Sequence, residues 1–302
     1  MWTGPTRRGF LRLAGAGALA SLSLAGAALA AETKGKQKKD ARKEGKKGGK
    51  KQEQEKPLRE TRLTLGLASY TTRKFDLDQT LAIANRLAMK YVCLKDFHLP
   101  LASTPEQIAQ AAAKVKNAGL TLYAGGVISM KNEAEVNRAF DYAKAAGMRI
   151  IVAAPVAEML PAINRKIQDY GIMVAVHNHG PGDKNFPTPE SIYEKIQGMD
   201  KRFGLCIDIG HTVRIGGDPV KSIEKCGDRL LDMHMKDVSA ASAEGQTVPC
   251  GWGVIDLPAV LKALLKINYS GVLSFEYEGH ADDPVPGLAE SVGYIRGLLA
   301  VV

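Results

Sequence analysis

From residue 61 onward the chain alternates two hydrophobic periodicities. Short runs rich in Val, Ile, Leu and Tyr have the length and β-propensity of buried strands: RLTLGLAS, YVCLKDFH, LTLYAGGVI, MRIIVAAP, IMVAVHNH, FGLCIDIGH, LLDMHMKDV and GVLSFEYEG. Between them lie stretches with the 3.6-residue spacing of amphipathic helices, among them LDQTLAIANRLAMK, EAEVNRAFDYAKAAG and LPAVLKALLKI. GLAESVGYIRGLLAV reads as a closing helix. Several helices are entered through Pro or Asp. AGL, AGM, YGI and FGL put glycine at the helix-to-strand turns, where a left-handed C-cap residue is wanted. Continuous β-α alternation implies a parallel sheet. Eight units in about 240 residues predict an α/β fold, a single (β/α)8 TIM barrel over residues 61–302. A doubly wound open sheet would require a Gly-rich phosphate turn after the first strand, and ASYTTRKF is no such turn.

Composition changes this picture only at the N-terminus. The net charge of +9 suggests nucleic acid until it is located. Residues 1–62 hold 16 Lys and Arg against 6 Asp and Glu, which leaves 25 against 26 for the rest of the chain. The barrel is therefore near neutral, and nucleic acid is not its expected partner. Residues 1–30 carry Arg7-Arg8, then Phe10-Leu11, a weakly apolar Ala/Gly/Leu stretch and a small-residue Ala28-Leu29-Ala30 site. This is the pattern of a twin-arginine signal peptide. It predicts an exported, periplasmic or extracytoplasmic protein with no stable membrane insertion once the leader is cleaved. That route carries proteins already folded, which suits one that loads a metal first. Residues 31–60 form a Lys/Gly-rich linker. Across 33–56 it has no Val, Ile, Leu or aromatic residue, so it is expected to be disordered. Four cysteines (Cys93, Cys206, Cys226 and Cys250) show no CxxC spacing and read as buried free thiols. The sequence assigns no oligomeric state.

In such a barrel the chemistry sits where the strands end. His98 follows strand 2, His177 and His179 end strand 5, His211 follows strand 6, His234 ends strand 7 and His280 follows strand 8. Asp208, Asp237, Glu276 and Glu278 fall at the same rim. Side chains two apart share a strand face, so His177 pairs with His179, Asp232 with His234 and Lys236, and Glu276 with Glu278. Four consecutive strands can thus aim His177, Asp208, His234 and Glu276 at one point. Imidazoles with carboxylates make a site for one divalent ion, Mn, Co, Zn or Mg. Asp237 has a plainer reading, as a cap for the loop that follows it.

CIDIGHT (206–212), DMHMKDV (232–238), GWGVIDL (251–257) and LSFEYEG (273–279) stand in an order that resembles the xylose-isomerase-like TIM barrels. That sugar isomerase/epimerase superfamily also contains the apurinic endonucleases. The resemblance implies a metal held by a Glu on strand 5, an Asp on strand 6, a His on strand 7 and a Glu on strand 8. Asp208, His234 and Glu276 match three of these. His211 matches the family's substrate-contacting histidine and Lys236 the lysine of its H-x-K-D motif. Strand 5 departs from the pattern: His177-Asn178-His179 stands where the family usually reads Glu-Asn-His. The two-carboxylate proton shuttle of the epimerases is therefore absent.

The expected reaction is proton abstraction beside the carbonyl of a sugar or keto-sugar, through a metal-stabilised enediolate. Glu276, His179 and His211 are the candidate bases, with Lys95, His98, Lys236 and Trp252 as substrate contacts. Reprotonation of that enediolate gives isomerisation or epimerisation. Loss of a β-substituent gives lyase chemistry on a 3-keto-glycoside. A non-catalytic sugar-binding barrel is the competing class and would ignore a chelator. An apurinic endonuclease would require a basic groove that the near-neutral barrel lacks.

Overall fold

The computed structural model describes residues 63–302; the expected signal peptide (1–30) and linker (31–60) lie outside the described residues. All eight strand runs form. They are β1 (Thr64–Ala68), β2 (Tyr91–Leu94), β3 (Thr121–Met130), β4 (Ile150–Pro155), β5 (Met173–His177), β6 (Phe203–Asp208), β7 (Leu230–Met235) and β8 (Val272–Phe275). Each pairs in parallel with its sequence neighbours. β8 closes on β1 with Thr64 opposite Val272 and Phe275 opposite Leu67. The result is the expected (β/α)8 barrel, with its apolar layer between strands and helices and a second cluster inside the lumen (Cys93, Tyr123, Ile150, Val152, Cys206).

The helices begin where the sequence signals them. They are α1 (Leu77–Arg86), α2 (Pro105–Asn117), α3 (Glu133–Ala145), α4 (Leu160–Tyr170), α5 (Pro189–Ile196), α6 (Ile209–Arg214), α7 (Pro219–Cys226), α8 (Leu257–Lys266) and α9 (Val285–Leu299). Asp76 and Thr104 each close a capping box with a Gln three residues on, which satisfies two of the first-turn amides. Gly119, Gly147 and Gly171 take φ near +70° at the helix ends, as AGL, AGM and YGI predicted. FGL is different. Gly204 lies inside β6, and a Cβ there would come within 2.1 Å of the Arg229 carbonyl. Glycine is needed at that point for close approach between strands and does not cap a helix. Arg229 fills the space beside it, donating to the carbonyls of Gln197, Met199, Asp200 and Phe203 from a fully buried guanidinium.

Two features go beyond the alternation. A short antiparallel ladder joins Asp237–Val238 to Thr247–Val248, and β6 is followed by two helices where one was expected. All four cysteines are buried and unpaired. Among the described residues no helix is long and apolar enough to cross a membrane.

Candidate metal centre at the barrel mouth

Register brings the four strand-end residues together. Asp208 on β6 lies level with His234 on β7, Ser274 on β8 pairs with His234 two residues before Glu276, and His177 ends β5 opposite Cys206. The donor atoms of His177, Asp208, His234 and Glu276 all fall within 4.8 Å of one another, and all four side chains are buried. His177 Nε2 is 3.0 Å from His234 Nδ1 and 3.4 Å from Asp208 Oδ2. His234 Nδ1 is 3.0 Å from Glu276 Oε2 and 3.8 Å from Asp208 Oδ2.

These spacings test whether the set fits a cation. Tetrahedral bonds of about 2.0–2.2 Å place donors roughly 3.4 Å apart. The observed separations of 3.0–3.8 Å bracket that value. Two imidazoles crowded onto two carboxylates at this range form a donor set, and the residues fit a divalent ion of the Mn, Co, Zn or Mg group.

Local structure fixes each donor. Asp208 also caps α6, accepting the His211 amide on Oδ1 at 2.8 Å, so its second oxygen is aimed at the quartet. Asn178 staples the tips of β5 and β6, accepting the Asp208 amide at 2.9 Å and donating to Thr212 Oγ1. Gly210 leaves room for the Lys236 stem, since a Cβ there would lie 2.6 Å from Lys236 Cδ. Gly180 has φ +69° and passes so near His211 that a Cβ would sit 2.7 Å from its carbonyl oxygen.

A charge network surrounds the quartet. Lys236 Nζ lies 2.8 Å from Asp208 Oδ2 and 2.9 Å from Glu276 Oε2, and it donates a short hydrogen bond to Glu278. Lys95 Nζ reaches Glu276 Oε1 at 3.4 Å. Burial alone would push the Asp208 carboxyl up, but Lys236, His211 and His177 outweigh it and hold the group well below the usual range. Burial acts on Glu276 in the same way, and His234, Lys236 and Lys95 hold it low. For Lys236, burial opposes the charge and the three carboxylates more than restore it. Burial drives His177 well below its ordinary value, so its imidazole is neutral, as a ligand must be.

One layer deeper the lumen is polar. Tyr123 Oη donates to Asp232 at 3.0 Å and makes a short hydrogen bond with Ser274, and Cys206 Sγ lies 3.8 Å from Asp232 Oδ2. Burial pushes Asp232 up to about 7. Parity placed Asp232 on this face. The phenol and thiols gathered around it come from strands that read simply as apolar.

The remaining candidates divide. His179 ends the β5 tip with its ring centroid 4.5 Å from that of His177, and His211 lies 6.0 Å from His179. His179 Nδ1 faces Asp183 Oδ2 at 3.3 Å, and burial and then His211 push its pKa down. Both stand at the quartet's edge. His98 does not: Nδ1 is bonded to Ser69 Oγ at 2.9 Å, while Nε2 meets Thr80 Oγ1 and the Phe75 carbonyl at 3.0 Å. With both nitrogens bonded to Ser69, Thr80 and Phe75, it braces the turn after β1 against α1 and is not gathered with the quartet. Trp252 also stands apart, its indole N–H donating to Glu290 Oε1 at 2.7 Å and its side chain 69% exposed. Asp237 accepts the amides of Gly251, Gly253 and Ile255, which explains the GWGVI turn as a loop folded around one carboxylate.

Beside the quartet, a cavity of about 360 Å³ opens between the ends of β3, β4 and β5. Ser129, Lys131, His177, His179, Asp183 and Asn185 supply its polar lining. Its size falls in the range of small-ligand sites, about 300–1,000 Å³.

A family model described as xylose isomerase-like TIM barrel matches residues 81–298. The rhizopine catabolism protein MocC of Rhizobium meliloti is 28% identical over 151 residues, 45% of this chain and 46% of that protein. An inosose dehydratase of Clostridium beijerinckii is 28% identical over 140 residues, 40% of this chain and 46% of that one. The chain thus spans about half the length of the curated relatives it matches. Among solved structures, an IolI protein with a bound zinc atom superposes with TM-score 0.68 at 18% identity, over 79% of this chain and 98% of that one. A D-tagatose 3-epimerase-like protein gives 0.62 at 20%, over 78% and 99%. Likeness at these identities concerns the fold.

Proposed function

The chain belongs to the xylose isomerase-like TIM barrel family, and we propose that it is a metal-dependent enzyme that removes a proton beside the carbonyl of a sugar or keto-sugar. The observation that carries this reading is the convergence of four buried donors within 4.8 Å at the strand ends. His177, Asp208, His234 and Glu276 would hold one divalent cation. When bound it supplies Lewis-acid polarisation of the substrate carbonyl.

The chain's own residues then divide the work. Glu276 is a poor base, because its oxygens are engaged by His234, Lys236 and Lys95 and its proton affinity is low. His179 suits the role better. With Nδ1 turned to Asp183, the tautomer with a bare Nε2 is favoured, and its lowered pKa keeps it neutral near neutral pH. His211, on the other side of Asp208 at 4.0 Å, is placed to return a proton or to hold a hydroxyl. The polar cavity lining receives the remaining hydroxyls.

Reprotonation of the deprotonated sugar at the neighbouring carbon is isomerase or epimerase chemistry. Elimination is favoured by one specific observation: an imidazole, His177, replaces the second carboxylate that symmetric proton exchange would use. In a 3-keto-glycoside the C2 proton passes to His179, the C1=C2 bond forms, and the C1–O bond breaks with its electron pair on the departing oxygen. That oxygen is then protonated from solvent. The dehydratases among the relatives are named for a loss of water, which is chemistry of the same type.

Purified protein loaded with Mn²⁺, Co²⁺ or Zn²⁺ in D₂O should exchange a C–H proton of a keto-sugar or release the aglycone of a 3-keto-glycoside, followed by NMR. His234→Ala and Glu276→Ala should abolish cation binding and turnover in a folded barrel. Sugar binding with no exchange or release under any metal would leave a non-catalytic barrel. The twin-arginine pattern at Arg7-Arg8 supports export to a periplasmic site of action, with the mature protein beginning just after Ala30. N-terminal sequencing of the exported form tests this.

A further inference from the structure

The mouth is lopsided. On the side of β3–β5 lies the polar cavity bordered by His177 and His179. Next to it around the barrel, after β1 and β2, the wall is aromatic. Tyr70 sits in the turn that follows β1, and Phe97 stands three residues after β2 with their ring centroids 6.1 Å apart. Lys95 links this wall to the quartet: its Nζ is 5.1 Å from the Tyr70 centroid and 3.4 Å from Glu276 Oε1. Phe97, with 46% of its surface exposed, is a large apolar side chain left open to water at this rim.

It is nevertheless held in place. Its ring meets His98 edge-on at 4.8 Å, and His98 is pinned through both nitrogens to Ser69, Thr80 and Phe75. Tyr70 is fixed between Lys95 and Arg73, whose guanidinium lies 4.8 Å from the ring centroid and donates to the Glu278 carbonyl. A rigid aromatic face costs little ordering entropy when something stacks on it. Such a face left open beside a polar cleft suits an amphipathic ligand.

We infer that Phe97, backed by Tyr70, is the platform for a planar apolar aglycone, so that the substrate is an aryl glycoside whose sugar ring fills the β3–β5 cavity and whose aglycone rests on the adjoining β1–β2 wall. This rests on the placement of the reacting carbon at the quartet under the proposed function. It deepens that reading by naming the leaving group, and the methyl and phenyl arms of the test separate an aryl aglycone from a sugar ring stacked on the same wall. Lys95 then lies between platform and quartet, where negative charge develops on a departing phenolic oxygen.

The test separates recognition from chemistry. Affinity for phenyl β-glucoside and methyl β-glucoside, neither of which carries the carbonyl, is measured by calorimetry on the full-length protein and on Phe97→Ala. The wild type should prefer the phenyl glycoside by at least about tenfold, the factor expected from covering one half-exposed ring face. Phe97→Ala should bring that ratio near one, and Phe97→Trp should restore or widen it. Equal affinities in the wild type, or a preference that survives Phe97→Ala, would overturn the platform. A Phe97-dependent preference without C–H exchange or aglycone release on the 3-keto forms supports the platform while removing the proposed reaction. Turnover without any aryl preference does the reverse. Circular dichroism confirms that the variants are folded, which the exposure of Phe97 predicts.

Discussion

Asp208 and Asp232 stand on neighbouring strands of one barrel, both fully buried, and their carboxyls go opposite ways. Asp208 is held well below the ordinary range and Asp232 is raised to about 7. Burial pushes both up, so it cannot be what separates them. The difference lies in their company. Asp208 faces the Lys236 ammonium at 2.8 Å and three imidazoles within 4.0 Å. Asp232 meets the Tyr123 phenol and the Cys206 thiol, and of the charged groups only His234 pulls its pKa down, too little to offset burial. Two layers of one lumen, a strand pleat apart, thus run one ionised and one near-neutral carboxylate. The upper layer gathers four donors of the kind that could hold a cation, and the lower layer carries no such set.

The comparison is broken most severely by removing the ammonium. Lys236→Met leaves Asp208, Glu276 and Glu278 without their shared partner. The metal-free protein should lose about 3–5 kcal/mol, measured by urea unfolding. Added divalent cation should recover much of that loss. An unchanged midpoint would mean the network carries no net charge coupling.

Asp232→Asn acts the other way. In the native state Asp232 keeps its proton to about pH 7, whereas the unfolded chain releases it near 3.8. The native state therefore binds the extra proton between those values, and the group's contribution to stability is lost as pH rises through that window. The asparagine variant should gain on the wild type as pH goes from about 4 to 8, approaching about 4 kcal/mol in metal-free protein. Parallel pH profiles would show that Asp232 is ionised in the fold.

The acid limb of turnover sharpens the upper layer. The base must be neutral and His179 has a lowered pKa, so the acid limb of activity should have its midpoint below 6.5. His179→Gln should remove turnover far more than sugar binding. The smallest effect concerns His98. Burial lowers its pKa below 6.5, so the unfolded chain takes up the proton first and stability declines as pH falls below that value. His98→Gln should flatten this slope, read from unfolding midpoints on either side of 6.5.

Much of the upper layer was legible in the sequence. Strand parity and strand ends sufficed to group His177, Asp208, His234 and Glu276, because a closed parallel barrel turns equivalent positions toward one axis. The lower layer was not legible as a unit. Tyr123 and Cys206 sit in runs that read as plain apolar strands, and their meeting at Asp232 depends on register across the lumen. His98 carried the same rim signal as the quartet. Its neighbours Ser69 and Thr80 arrive from other elements, and those take both of its nitrogens. Gly204 matched the helix-end pattern letter for letter, and only the closeness of Arg229 reveals its purpose. Position along a strand is written locally, but what covers a side chain is not.

β8 pairs with β1 at one edge and places Glu276 just beyond its end. The first and last strands of the barrel must therefore meet before the fourth donor reaches its fellows. A nascent chain stalled short of residue 272 already owns three of the four, yet it has neither the seam nor the full grip. Were these four donors to take up an ion, its capture would report that the circle has closed.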